Sequence, residues 1–278
     1  MAGASEEKHG NEGSALAGLK RRRDRVRTWF YVFVVMMPVG CIGPCGLFFM
    51  VPKGGLVQTV VAILGFALPF VGLGGMLLML GDLSKTKRSL AVAEEGERMG
   101  LLFTEKPAKA DYDWVRTLKM YSAADDRALA FNLLSGEISG IELTIMDYVY
   151  AVGMGKYSRA FGQTLLVMHD AAPGLPDFIV SPRSIWDTVS KLMGGRHVEF
   201  ADQSSFAQQF MVQGDDPDAI RECFTIAAMD LCEHYKNQTV EVSGGRIATH
   251  CFNKRTDPNE YSDLVAHLGR LLKVFRGG

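Results

Sequence analysis

The sequence predicts an α+β protein, in which an N-terminal two-helix transmembrane hairpin is followed by a mostly antiparallel β-sheet domain with two packed helices. Three observations predict this class. Two long uncharged runs lie near the N-terminus of the 278-residue chain. After about residue 128, apolar and polar residues alternate with the period of two that is typical of half-buried strands. Two later segments repeat apolar residues at helical spacing, and strands with interspersed helices are typical of α+β folds.

The overall composition is that of an ordinary globular protein, but its charges are unevenly distributed. The chain is 47% hydrophobic and 22% charged, with a net charge of −1. This excludes a disordered chain, a collagen-like repeat and a disulfide-dense scaffold. Residues 1–80 hold 8 basic and 4 acidic residues, which leaves 22 basic and 27 acidic residues in the rest. The acidic C-terminal part is therefore not expected to bind nucleic acid.

Both uncharged runs are long enough to cross a bilayer. Residues 28–50 and 56–80 contain 23 and 25 residues without a charge, and about 20 apolar residues span the hydrocarbon core as a helix. The five residues between them, 51–55, permit only an antiparallel hairpin. A cleavable signal peptide has a shorter apolar core, so two spans are the better interpretation.

The basic residues beside these spans predict the orientation. The connecting turn carries only Lys53, whereas nine basic residues lie just outside the hairpin: Lys20, Arg21, Arg22, Arg23, Arg25, Arg27, Lys85, Lys87 and Arg88. By the positive-inside rule, both termini lie in the cytoplasm. We therefore expect a multi-pass protein of the cell membrane, with the lipid bilayer as its first partner.

The hairpin itself is expected to serve as an anchor. Neither span contains an ionisable residue, which would be the usual mark of an ion pathway. An oligomeric pore is the alternative, and homo-oligomers are possible. Cys41 and Cys45 are interpreted as small apolar residues that pack between helices.

Four regions follow from these patterns. Residues 1–27 are expected to form a disordered basic tail, 28–80 the hairpin, 81–103 a linker helix and 104–278 a cytosolic α+β domain. Predicted strands lie at residues 133–139, 141–145, 163–169, 178–181, 197–200, 206–213, 239–242 and 247–252. A short helix is predicted at residues 113–121, and longer ones follow the Asp-Pro pairs at Asp216 and Asp257.

No phosphate-binding or metal-binding motif stands out. Gly153-x-Gly155-Lys156 lacks the upstream glycine and the Ser or Thr of a P-loop, so a glycine-rich turn is the better interpretation. Cys232-x-His234 could meet His250-Cys251 around a zinc ion. Neighbouring strand residues point to opposite faces, however, which argues against that site.

No catalytic constellation stands out either. The pairs His197-x-Glu199 and His169-Asp170 are explained as solvated strand residues, and Asp147 as a residue bonded in a turn. The terminal Gly277-Gly278 follows an amphipathic helix and suits a helix cap. The sequence thus predicts no catalytic, cofactor-binding or metal-binding residue and no cofactor.

Several short phrases together resemble a group of uncharacterised bacterial two-pass membrane proteins with a cytosolic α+β domain. They are Asn132-x-Leu134-x-Gly136, Asp147-Tyr148-x-Tyr150, Gly153-x-Gly155-Lys156, Gln163-Thr164, Leu175-Pro176-x-Phe178, Ser181-Pro182, the segment from Phe206 through Gly214-Asp215-Asp216, Val240-Glu241 and Gly244-Gly245. The resemblance covers about residues 28–275 and implies topology, but no activity.

The function expected from this pattern is that of a non-enzymatic scaffold or sensor, whose cytosolic domain binds a protein partner or a small ligand. The alternative from another class is a membrane-tethered enzyme whose residues converge only in the folded chain. A deep pocket that gathers His197, Glu199 or Asp147 with other polar groups would favour the enzyme.

Overall fold

The computed structural model describes residues 16–34, 55–122, 124, 127–153, 158–185, 196–200 and 204–277. The chain divides into two compact units, Met1–Ala91 and Val92–Gly278. We call the second one the sheet unit. From the sequence, we instead expected a linker helix over residues 81–103 to separate the hairpin from the cytosolic domain.

The described part of the first unit is helical. Helix α1 covers residues 16–34, and α2 begins at Leu56 and ends at Met99 in the sheet unit. Arg22 of α1 forms a 2.7 Å ion pair with Asp82, and Gly75 lies beside the ring of Phe33. These two contacts show that α1 and α2 run antiparallel.

Two predictions about this region change. Residues 16–27, expected to be a disordered tail, form part of α1. Most of the first uncharged run, its turn, Cys41 and Cys45 lie outside the described residues. Of the helices that the structure does describe, none meets both the length and the apolar character needed for a bilayer crossing.

The predicted linker helix is the last part of α2 and is shorter than expected. Helix α2 ends because Gly100 takes a left-handed conformation, with φ 72°, and the N–H of Leu101 donates to the carbonyl of Gly96. This is a common way for a helix to stop. Residues 102–104, assigned to the helix or its boundary from the sequence, form a strand instead.

The sheet unit is built on a nine-stranded sheet among its described residues, and every neighbouring pair of strands is antiparallel. The predicted α+β class with a largely antiparallel sheet is therefore confirmed. The spatial order is β1-β2-β3-β4-β9-β8-β5-β7-β6. The strands are β1 Leu102–Thr104, β2 Leu129–Ile138, β3 Ile141–Val152, β4 Arg159–Met168, β5 Phe178–Pro182, β6 Arg196–Val198, β7 Phe210–Gly214, β8 Gln238–Ser243 and β9 Arg246–Cys251.

Each face of the sheet is covered by a different kind of structure. Helices pack on one face, which we call the helix-covered face, and the segment 109–122, which we call the strap, packs on the other. The helices are α3 Lys109–Tyr112 within the strap, then α4 Ser204–Gln209, α5 Pro217–Cys223, α6 Ile226–His234 and α7 Tyr261–Phe275. Short 3-10 helices span Asp113–Thr117, Lys119–Tyr121, Arg183–Ile185 and Pro258–Glu260.

Three of the predicted elements are divided differently in the structure. The single helix expected at residues 113–121 forms two 3-10 helices that are separated by the extended residue Leu118. The strand expected at residues 206–213 begins as α4 and becomes β7 only at Phe210. The helix expected after Asp216 is interrupted at Phe224, and α6 begins after Thr225, whose side chain accepts the N–H of Ala228. The new cap resets the helical phase, so Ala228 is buried while Ala227 is exposed.

Candidate ligand-binding cleft

A cleft of about 500 Å³ opens on the helix-covered face of the sheet unit. It lies between α7, the end of α2 and the hairpin that joins β2 to β3. Its size is within the range of small-molecule sites. Most of its walls are apolar, and the lining residues are Arg98, Met99, Ile138, Ser139, Ile141, Leu143, Met168, Ser262, Val265, Ala266 and Gly269.

Helix α7 leaves this space because small residues flank its core-facing stripe. Leu264, Leu268 and Leu271 are buried in the core, while Ala266 and Gly269 line the cleft. A Cβ atom added to Gly269 would meet nothing within 4 Å. Glycine inside a helix costs about 1 kcal/mol relative to alanine, so this position lowers the stability of α7.

The opposite wall is shaped by a tight turn. Ser139 and Gly140 link β2 to β3 with φ values of 54° and 81°, the positive values that a two-residue type I′ hairpin turn needs. Ile138 and Ile141 form the last paired residues of this hairpin and both line the cleft. The turn therefore fixes two aliphatic side chains in the wall.

Arg98 is held at the polar end of the cleft by a buried carboxylate. One oxygen of Glu95 accepts a 3.0 Å hydrogen bond from Ser262, and the other forms an ion pair with Nη2 of Arg98. The same Nη2 donates to Asn259 at 3.4 Å. The Glu95 side chain is 3% exposed and that of Arg98 is 65% exposed. Among the described residues, the Nη1 and Nε groups of Arg98 have no partner.

A second group of buried polar side chains lies under the strap. The Glu241 carboxylate accepts the backbone N–H groups of Lys119 at 2.5 Å and Met120 at 3.2 Å. Burial raises the pKa of Glu241 to about 7, although both hydrogen bonds and the nearby Lys119 charge oppose that rise. The carboxylate thus fastens the strap to β8, while carrying a charge that its surroundings disfavour.

His250 lies close to this group. Its ring centroid is 5.7 Å from that of Tyr121, and burial lowers its pKa to about 3. The imidazole is consequently neutral at pH 7. In the described part of the chain, neither Nε2 of His250 nor Oγ1 of Thr239, which lies opposite on β8, has a hydrogen-bond partner.

Asp147 is part of a buried network that ties β2, β3 and β4 together. Its carboxylate accepts from Nδ2 of Asn132 at 2.9 Å and from Oγ1 of Thr164 at 3.0 Å. Asn132 reaches it because a bulge in β2 places this residue at φ 52°, a conformation that asparagine tolerates. Asp147 thus bonds to neighbouring strands, whereas the sequence analysis placed its bonds in a turn.

Replacing Asp147 with alanine is expected to lower the free energy of unfolding by about 2 kcal/mol, because Asn132 and Thr164 would each lose a buried acceptor. Urea unfolding followed by circular dichroism measures this loss. Asp147→Asn is the matched control and should lose less, since the amide of Asn132 can rotate to present its oxygen. Equal losses for the two variants would contradict the network.

The three residues whose convergence would favour an enzyme, His197, Glu199 and Asp147, do not lie close together. His197 lies on the edge strand β6, where Nδ1 is 3.1 Å from the carbonyl of Val212, and Glu199 is exposed. Asp147 is on β3, six strand positions away, or roughly 29 Å at the usual strand spacing. His169 lies beside the ring of Trp114.

The other predicted sites can be placed in part. Cys232 packs in the core of the helix-covered face, whereas His250 contacts Tyr121 under the strap, so these two cannot share a zinc ion. No cluster of three metal-ligating side chains occurs within the described ranges. Gly153 and Gly277 have positive φ values, as turn and cap glycines do. Gly155, Lys156 and Gly278 are not among the described residues.

The cleft was not predicted from the sequence. One signal for it was present: Gly269 interrupts a helix that is otherwise well patterned. Comparisons with protein-family models, with curated proteins and with solved structures gave no match for the chain.

Proposed function

We propose that the chain is a two-pass protein of the bacterial inner membrane, with both termini in the cytoplasm, whose sheet unit binds a small amphiphilic ligand and acts as a non-enzymatic sensor or scaffold. The observation that carries the ligand-binding part is the open apolar cleft beside Gly269. Large apolar pockets with a few polar groups are the usual form of ligand sites.

The membrane part of the proposal is supported by the sequence and by exposure. The two uncharged runs and the nine basic residues around them favour a hairpin with cytoplasmic ends. Of thirteen large apolar side chains that are exposed among the described ones, eleven lie within residues 29–34 and 56–80. Apolar surface of this extent favours contact with lipid or another protein.

Photolabelling of the full chain in phosphatidylcholine nanodiscs tests the ligand-binding part. The probe is hexadecanol with a photoreactive diazirine, which carries no charge. We expect label on peptides that contain Met99, Met168 and the cleft-facing side of α7. Gly269→Leu should lower this labelling at least tenfold, because its side chain occupies the cleft.

Gly269→Ala is the matched control, since it adds one methyl group and leaves most of the space. It should keep the labelling and raise the free energy of unfolding by about 1 kcal/mol. Equal labelling of cleft peptides in the leucine and alanine variants would contradict the proposal, as would a lack of label in the unmodified chain.

A further inference from the structure

We propose that the ligand of the cleft is a long-chain fatty acid, with its acyl chain along the apolar walls and its carboxylate on Arg98. This inference rests on the proposed ligand-binding function and names the class of molecule that the same site takes. It depends on two features of the cleft: its volume, and the exposed N–H donors of the Arg98 guanidinium.

The volume suits one acyl chain. A cleft of about 500 Å³ lies in the lower half of the range of about 300–1,000 Å³ for small-molecule sites. This size favours a ligand with one acyl chain over a diacyl phospholipid. The aliphatic and thioether walls formed by Ile141, Leu143 and Met168 offer such a chain an apolar surface without a fixed hydrogen-bond pattern.

The polar end of the cleft, where Arg98 lies, favours the binding of a carboxylate. Arg98 supplies a guanidinium that is mostly exposed and that uses only Nη2 in its contacts with Glu95 and Asn259. Its Nη1 and Nε donors have no partner in the described ranges, and charge-assisted hydrogen bonds from arginine to carboxylates are among the stronger ones in proteins. Ser139 and Ser262 add hydroxyl groups to the lining.

Glu95 lies beneath this guanidinium and not at the surface, because its side chain is 3% exposed. Its Oε1 accepts from Ser262, and its Oε2 forms an ion pair with Nη2 but has no hydrogen-bond partner among the described residues. A ligand at the mouth therefore meets the exposed guanidinium, while the carboxylate lies beneath it. Glu95 thus orients Arg98 as a positioning residue.

Photolabelling with two probes of equal chain length tests this assignment. Diazirine-bearing palmitate and diazirine-bearing hexadecanol are compared on the full chain in phosphatidylcholine nanodiscs at pH 8, where palmitate is ionised. We expect palmitate to label the cleft peptides several-fold more than the alcohol. Arg98→Met should remove this difference, and Arg98→Lys should retain part of it. Unlabelled palmitate should compete more strongly than its uncharged methyl ester.

The outcomes separate this inference from the proposed function. Equal labelling by both probes, with no effect of Arg98→Met, would overturn the fatty-acid assignment and leave an amphiphile site in place. A lack of cleft labelling by either probe would overturn both. Continued labelling of Arg98→Met by the alcohol shows that this variant still has its cleft, so loss of palmitate labelling then reports on the head group.

Discussion

Replacing His250 with glutamine is expected to reduce by about 2 kcal/mol the loss of stability that the sheet unit shows between pH 6.5 and pH 4.5. Burial lowers the pKa of His250 to about 3 in the folded chain, against an ordinary value of 6.5. Between these values, His250 binds a proton in the unfolded chain but not in the folded chain. The free energy of unfolding therefore falls as the pH falls. A pH unit well inside this window contributes about 1.4 kcal/mol, and one beside pH 6.5 contributes less because the unfolded histidine is only half protonated there.

Urea unfolding at pH 6.5 and pH 4.5, followed by circular dichroism on the full chain in nanodiscs, measures this difference. His197→Gln is the matched control, because it makes the same substitution at a histidine that is exposed on the edge strand β6. His267, whose pKa burial lowers to about 4, adds a loss of the same sign in every variant. An unchanged pH dependence in His250→Gln would contradict the buried position of His250.

Replacing Glu241 with glutamine is expected to have the opposite effect on the same measurement. Burial raises the pKa of Glu241 to about 7, against an ordinary value of 4.5. The folded chain therefore holds a proton between these values that the unfolded chain releases. Glu241 contributes stability that is fully present below pH 4.5 and is lost as the pH rises through 7.

Without this contribution, Glu241→Gln should lose about 2 kcal/mol more stability than the unmodified chain between pH 6.5 and pH 4.5. The amide also replaces one acceptor for the N–H groups of Lys119 and Met120, which changes stability by a similar amount at both pH values. The pH dependence is therefore the informative quantity. Glu199→Gln, at an exposed site, is the control. A smaller loss in Glu241→Gln than in the unmodified chain would contradict the account.

Local patterns in the sequence predicted most of the sheet. The hairpin of β8 and β9 follows from Gly244 and Gly245, whose positive φ values allow the tight turn. Helix α7 follows from its apolar spacing, and its predicted core residues Leu264, Leu268 and Leu271 are buried. In these elements, local propensity and tertiary packing favour the same structure.

The differences arise where distant contacts or caps decide the structure. The split between α5 and α6 depends on Thr225 capping a new helix, and both halves carry apolar residues that would also suit one helix. The cleft depends on the separation of α7 from the β2–β3 hairpin, which no local pattern encodes. The alternating pattern of its strand predicts that Glu241 is a solvent-exposed polar residue. It is buried because the strap packs over it and donates a backbone N–H to its carboxylate.

The central claim, a ligand-binding unit held at the cytoplasmic face by a two-helix hairpin, is tested most directly by paired reporter fusions in a bacterial host. Green fluorescent protein, which folds into its fluorescent form in the cytoplasm, is fused after Gly278, and alkaline phosphatase, active only outside it, is inserted after Lys53. We expect fluorescent cells for the first fusion and active phosphatase for the second. An inactive phosphatase after Lys53, or non-fluorescent cells from the fusion after Gly278, would contradict the proposed topology.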